Sequence, residues 1–232
     1  MRLLVTAAVL FAACNQPAMA DDKVQTQTPV PVLVELFTSE GCSSCPPADD
    51  VLARLEKQQP VAGALVVPLA HHVDYWDSLG WPDPFSSPRA TARQKSYRAG
   101  SYTPQAVIDG GAEMVGSRGS AIESAVAEAA KRPHVKVAIA ATGPDVTVSA
   151  AAGEGTEIWI ALVQTHARIA VPRGENAGRT LEHTAIVRDM KQGPKATFTL
   201  PKDVATTDLR WVAFVQDTKS RRVLGSTSAP VK

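Results

Sequence analysis

Between residues 32 and 47 the chain reads Val-Leu-Val-Glu-Leu-Phe-Thr-Ser-Glu-Gly-Cys-Ser-Ser-Cys-Pro-Pro. Val32 to Phe37 is a short, mostly apolar run rich in β-branched residues, which predicts a buried strand. Thr38 to Gly41 predicts a turn. From Pro46 to Gln58, Val51, Leu52 and Leu55 fall on one stripe, which predicts a helix. Cys42 and Cys45 therefore form a CxxC at a helix start. The first helical N–H groups have no partner inside the helix, and the helix dipole puts partial positive charge there. A thiolate is stabilised at such a position and becomes nucleophilic near neutral pH. The spacing lets a second thiol attack the mixed disulfide formed by the first. Cys42, at the exposed start, is expected to attack, and Cys45, one turn in, to resolve. Pro46 and Pro47 suit a first helical turn, where missing N–H groups cost little.

The chain has 232 residues and only three cysteines, so it is not a disulfide-stapled scaffold. A four-cysteine zinc site is excluded, since no second pair exists. A passive disulfide across two intervening residues would remove little loop entropy. Hydrophobic residues make up 44% and charged residues 20%, which predicts a packed core. The net charge of +1 argues against a nucleic-acid partner or a polybasic membrane surface.

Residues 1–20 read as a secretory signal: Arg2, the apolar run Leu3 to Ala13, and Ala18-Met19-Ala20 as a small-x-small cleavage site. Phe11-Ala12-Ala13-Cys14 is a competing, imperfect lipobox that would lipidate Cys14. Both readings place the protein in a periplasm or outside the cell. No later run is long and apolar enough to cross a membrane. Residues 21–31 are polar with two prolines and predict a flexible leader.

Beyond the helix, Leu65 to Leu69 predicts a second buried strand, leading to His71, His72 and Asp74. An aromatic, proline-rich stretch follows, with Trp76, Trp81 and Phe85. Arg89 to Arg98 predicts a helix, and Thr103 to Gly111 a strand ending in a Gly-Gly turn. Glu113 to Val115 predicts a short partner strand. Ser120 to Lys131 predicts a helix capped by Ser120, with Glu123 three residues on. At Pro133 the texture changes. Alternating runs broken by Gly, Pro, Asn and Asp fill residues 133–232 and predict an antiparallel β-sandwich-like domain.

Residues 36–49 (LFTSEGCSSCPPAD), 72–88 (HVDYWDSLGWPDPFSSP), 103–110 (TPQAVIDG) and 173–183 (RGENAGRTLEH) together resemble a secreted bacterial thioredoxin-like family of unknown function. The resemblance spans nearly all of the chain after the signal. It implies an α/β thioredoxin-like domain over residues 32–132, with an insertion at about 75–98, followed by the β-rich domain. It brings no known substrate. The Ser-Ser dipeptide inside the CxxC gives no redox potential by analogy.

Thr103-Pro104 opens a strand, and a proline there can be cis, holding backbone beside the cysteines and denying a metal access. The bland reading is that any strand can begin with proline. Glu35, an acid in an apolar strand, is expected to be buried with a raised pKa and to accept the proton of Cys45; a structural pairing is the bland alternative. His71 and His72 end the second strand, where an imidazole could approach the CxxC. Arg173 to Arg179 predicts a hairpin loop, either a solvated connection or a contact with an anion or the partner domain.

Three functions follow as expectations. The first is thiol–disulfide exchange by Cys42 and Cys45 on protein thiols, with Thr103, Pro104 and Glu35 in support and no cofactor beyond the redox-active disulfide. The second is a copper(I) metallochaperone using Cys42, Cys45 and His71 or His72, since soft thiolates suit Cu(I). The third is a redox-inert interaction module. The expected partner is a protein thiol or disulfide; the sequence carries no sign of oligomeric state.

Overall fold

A computed structural model describes residues 28–232. The signal reading and Cys14 lie outside the described residues, as does most of the leader. The described residues form a mixed eight-stranded sheet and a separate three-stranded sheet, with three α-helices.

The first unit follows the hydrophobic pattern closely. Strand β1 (Val30–Thr38) is apolar on both faces and lies inside the sheet. Helix α1 (Pro46–Gln58) carries Ala48, Leu52 and Leu55 on its buried side. Strand β2 (Ala64–His72) runs parallel to β1, so His71 and His72 belong to the strand itself and not to a loop after it. A 3-10 turn at Asp77–Leu79 and helix α2 (Pro88–Ser96) follow. The Ser87 hydroxyl caps α2 by accepting from Ala90 N, and Pro88 sits in its first turn. Strands β3 (Gln105–Ile108) and β4 (Ala112–Val115) are antiparallel to their neighbours. Helix α3 (Gly119–Ala130) differs in detail from the expectation. Arg118 takes its N-cap position without a side-chain cap, and Ser120 lies inside the helix.

After Pro133, β5 (Val137–Thr142), β6 (Asp145–Ala150) and β9 (Lys195–Thr197) make the small sheet. Strands β7 (Thr156–Ala170), β8 (Thr180–Gln192), β10 (Leu209–Asp217) and β11 (Val223–Pro230) do not close on themselves. They extend the first sheet in the order β11-β10-β7-β8-β2-β1-β3-β4. The joint is a parallel pairing of β2 with β8 at Ala70 and Ile186. The texture change at Pro133 therefore marks a change of local pattern, while the large sheet crosses it.

Alternation along β1 sorts its side chains between two layers. Val32, Val34 and Leu36 pack on α1 and α3. On that same face, farther along the sheet, Ile160, Leu162, Trp211 and Val215 pack against Val137, Val146 and Val148 of the small sheet. Leu33 faces the other way and joins Val67, Leu69, Val163 and Phe214. Phe37 lies on that side too, with Trp76 and Tyr97 against it. Helix α2, of nine residues, is the helix on that second face.

Candidate active site

The carboxyl end of β1 delivers the chain into the CxxC turn. Cys42 N donates to Ser39 O and Cys45 N to Cys42 O, both at 3.2 Å, so the turn closes on its own backbone. Cys45, and not Cys42, is the N-cap residue of α1. Pro46 and Pro47 remove two of the first N–H groups, and Ala48 N and Asp49 N both donate to Cys45 O. The helix thus offers a sulfur its dipole but few free donors. Cys42 and Cys45 are joined by a disulfide.

The expectation of an exposed Cys42 is corrected. Cys42 is 1% exposed and Cys45 0%, while Ser43 and Ser44 between them are exposed. The cover comes from the loop between β7 and β8. Asn176, wholly buried, donates from Nδ2 to Glu40 O at 2.8 Å and to Cys42 O at 3.0 Å. Arg179 Nη1 donates to Asn176 Oδ1 at 2.9 Å and fixes the amide's orientation. Glu175 Oε2 accepts from Ser43 N at 3.0 Å, and the hydroxyl and then the amide of Ser43 hold that exposed carboxyl below its usual range. The RGENAGR segment is therefore a cap bound to the CxxC turn and not a solvated connection. Replacing Asn176 by alanine leaves the buried Glu40 carbonyl without a donor and Cys42 O with Cys45 N alone, on the order of 1–3 kcal/mol against the closed loop. The expected result is about a tenfold faster reduction of the disulfide by dithiothreitol. An unchanged rate would show that the cap does not limit access.

Beneath the cap lies a cluster of buried acids and imidazoles. Asp83 Oδ2 accepts from Glu40 N at 2.8 Å and meets His72 Nδ1 at 2.6 Å. Glu40 Oε2 accepts from Trp81 Nε1 at 2.7 Å, and Glu40 Oε1 meets His183 Nε2 at 3.1 Å. His183 Nδ1 stands 3.9 Å from Asp49 Oδ2. Phe85 lies edge-on to both imidazoles. Trp81 and Phe85, from the aromatic stretch, serve here as struts for these polar groups. Burial would raise the Asp83 carboxyl, but His72 and the amides of Glu40 and Phe85 outweigh it and hold it low. Asp49, one turn into α1 from Cys45, is pushed by burial up to about 7, with His183 opposing only part of the effect.

That shift has a sign. Between about pH 4 and pH 7 folded Asp49 holds a proton that the unfolded chain has lost, so its contribution to stability falls as pH rises through that window. Asp49→Asn is expected to flatten the decline, measured as the urea midpoint from pH 4 to 8. A decline as steep as in the wild type would refute the assignment.

Thr103 and Pro104 come to the same end of the sheet. The antiparallel register pairs Phe37 with Gln105, which sets Pro104 beside the end of β1. The Thr103-Pro104 bond is cis. Trp76 links the two segments: its Nε1 donates to Thr103 Oγ1 at 2.8 Å, and its Cβ lies against Gly41, where an added Cβ would approach to 2.9 Å.

Glu35 is the second correction. It shares the α2 face with Leu33 and Phe37, whereas α1 packs on the opposite face. Arg93 of α2 grips it in a two-pronged pair, Nε to Oε1 at 2.8 Å and Nη2 to Oε2 at 2.9 Å. His71 Nε2 lies 2.9 Å from Oε1, and the Tyr97 hydroxyl donates to Oε2. Burial alone would raise this carboxyl, but Arg93 and His71 hold it well below the carboxylate range. It is an anion in a structural pair and not a proton acceptor for Cys45. His71 stacks on Phe37, and its pKa is lowered by burial. The histidines expected to assist a copper site are thus committed elsewhere, His71 to Glu35 and His72 to Asp83. Among the described residues no group of three or more His, Cys, Asp or Glu side chains is arranged to hold a metal ion. None of their helices is long and apolar enough to cross a membrane.

Glu40, Asp49, Asp83, Asn176 and His183 are the members that sequence reasoning did not assign. Glu40 and Asp49 flank the CxxC, and Asn176 and His183 lie in the 173–183 segment. The signal was present in the motifs, without a way to join them.

The arrangement defines a chain carrying a CxxC disulfide at the carboxyl end of an inner strand of a mixed sheet, under a cap from its own second half. A family model described as protein of unknown function (DUF1223) matches residues 33–216, and the chain belongs to that family. The X-ray crystal structure of a protein from Agrobacterium tumefaciens is 30% identical, with a TM-score of 0.69 over 89% of this chain and 96% of that one. HBP35 of Porphyromonas gingivalis has a TM-score of 0.60 at 12% identity, over 89% of this chain and 77% of that one, a likeness of fold alone. No curated protein matches the chain.

Proposed function

We propose that this chain is a thioredoxin-like thiol–disulfide oxidoreductase of an extracytoplasmic compartment, acting on protein thiols through Cys42 and Cys45. The observation that carries this reading is the disulfide between these two cysteines at the start of α1. The order of elements supports it: a parallel β1–α1–β2 unit, an antiparallel β3–β4 pair, and α3 on the same face as α1. The secretory signal read at residues 1–20 supports the compartment, where a disulfide persists.

In the oxidising direction a substrate thiolate attacks one sulfur and the other leaves as thiolate. A second substrate thiolate then attacks the mixed disulfide. The substrate gains a disulfide and the pair becomes a dithiol; the reverse sequence reduces the substrate. The carboxyl groups of Glu40 and Asp83 stand before this helix start and oppose a thiolate there, and Asp49 joins them as it loses its proton above about pH 7. The balance therefore leans toward the disulfide, which makes the reduced protein an electron donor.

The test is equilibration of the protein with glutathione buffers, read as the mass added by alkylating free thiols, beside an insulin-reduction assay. A pair that titrates and accelerates insulin reduction supports the reading. A pair that stays oxidised in every buffer, with insulin untouched, leaves an interaction module in its place.

A further inference from the structure

On the α2 face, away from the disulfide, lies a cavity of about 710 Å³. Its origin is geometric. A nine-residue helix is about 14 Å long, whereas eight strands span about 34 Å. Helix α2 cannot cover that face, and a hollow remains between it and strands β7 and β8. The hollow is within the size range of small-molecule sites.

Its walls are of two kinds. Trp159, Val187, Met190 and Pro88 are apolar. Four arginines, Arg89, Arg93, Arg188 and Arg221, also line it, against a single acidic residue, Asp189. Three of the four are neutralised: Arg89 by Asp189, Arg93 by Glu35 and Arg221 by Glu157. Arg188 has no carboxylate within ion-pair distance among the described residues. Its Nη1 donates to the neutral Gln164 Oε1, and its guanidinium stands 5.4 Å from the centre of the Phe85 ring. An uncompensated guanidinium beside an apolar hollow favours an anion attached to an apolar body.

We propose that this cavity is a binding site for a small organic anion with a flat apolar body, the charge paired with Arg188 and the body lying against Trp159 and Met190. The site is separate from the disulfide and does not rest on the thiol reading.

The probe is anilinonaphthalene sulfonate, titrated into the intact protein by fluorescence, beside its uncharged relative phenylnaphthylamine. The sulfonate is expected to bind saturably at one equivalent, about tenfold more tightly than the uncharged probe. Arg188→Gln is expected to remove that tenfold preference while leaving phenylnaphthylamine binding unchanged, and Arg188→Lys to restore part of it. Met190→Trp, which puts an indole where the flat body of the probe would lie, is expected to weaken binding of both probes. Absence of saturable binding, equal affinity for the two probes, or sulfonate binding indifferent to the Arg188 and Met190 variants each overturns the proposal. The comparison of the two probes on the wild-type protein needs no variant, so a misfolded mutant does not cost the test.

Discussion

Replacing Glu35 by alanine is expected to destabilise the protein by about 3–5 kcal/mol, because it strands a buried guanidinium. Arg93 is buried and spends its donors on Glu35, Gln216 and Tyr97. Its guanidinium also lies over the rings of Tyr97, Trp159 and Phe214. With the carboxylate gone, the other acid that acts on Arg93, Glu157, is already paired with Arg221. The loss is read from urea unfolding at pH 7. Adding Arg93→Met should recover much of it, since an apolar chain of similar length can fill the space between those rings. A loss under about 1 kcal/mol for Glu35→Ala, within the range of surface substitutions, would show that the pair is not the structural anchor described. The same group sets an acid limit. Its folded pKa lies far below its unfolded value, so its contribution is complete above about pH 4.3 and declines as pH falls from there.

The second large effect concerns the cysteines. On the proposed function, Cys42→Ser is expected to reduce insulin-reducing activity to that of buffer alone. Cys45→Ser is expected to leave an attacking thiol that accumulates a mixed disulfide, seen by mass after incubation with an oxidised small thiol. The asymmetry follows from placement. Cys42 lies in the turn beside exposed Ser43, with Ser44 Oγ 3.3 Å from its sulfur, and its cover is the loop that carries Asn176. Cys45 is the N-cap residue, fully buried. If the mixed disulfide forms in Cys42→Ser and not in Cys45→Ser, the roles are reversed. If neither variant loses activity, the proposed function is wrong.

How far each of these features was legible before any coordinates depends on the range of the interaction behind it. The bounds of α1 were read correctly from Pro46 to Gln58, because a proline start and a 3.6-residue apolar stripe are local signals. The cores of β1 and β2 were equally plain. Their ends were underestimated, since His71 and His72 are polar yet pair in register with Phe37 and Thr38. Glu35 was correctly singled out as a buried acid in an apolar strand, but its partner comes from α2 and no local pattern names it. The result was a group assigned to proton transfer that the structure uses as an anion in a salt bridge.

The cap shows the same limit more sharply. Arg173 to Arg179 reads as a turn-rich loop, and the atoms Asn176 binds are the backbone carbonyls of Glu40 and Cys42. Every residue has a carbonyl, so such a bond leaves no trace in the side-chain sequence of the acceptor. The sheet is a further case: the strands after Pro133 read as a set of their own, and only the pairing of β2 with β8 joins them to the first sheet.

By itself, then, the sequence determined the CxxC pair, the helix behind it and the run of strands, since each rests on neighbours in the chain and on the period of apolar residues. Tertiary structure alone decided that the two halves share one sheet, that Glu35 faces away from Cys45, and that the disulfide lies covered under Asn176. The reason is physical: which face a side chain takes and which carbonyl an amide finds are settled by packing between distant segments, and packing has no local period.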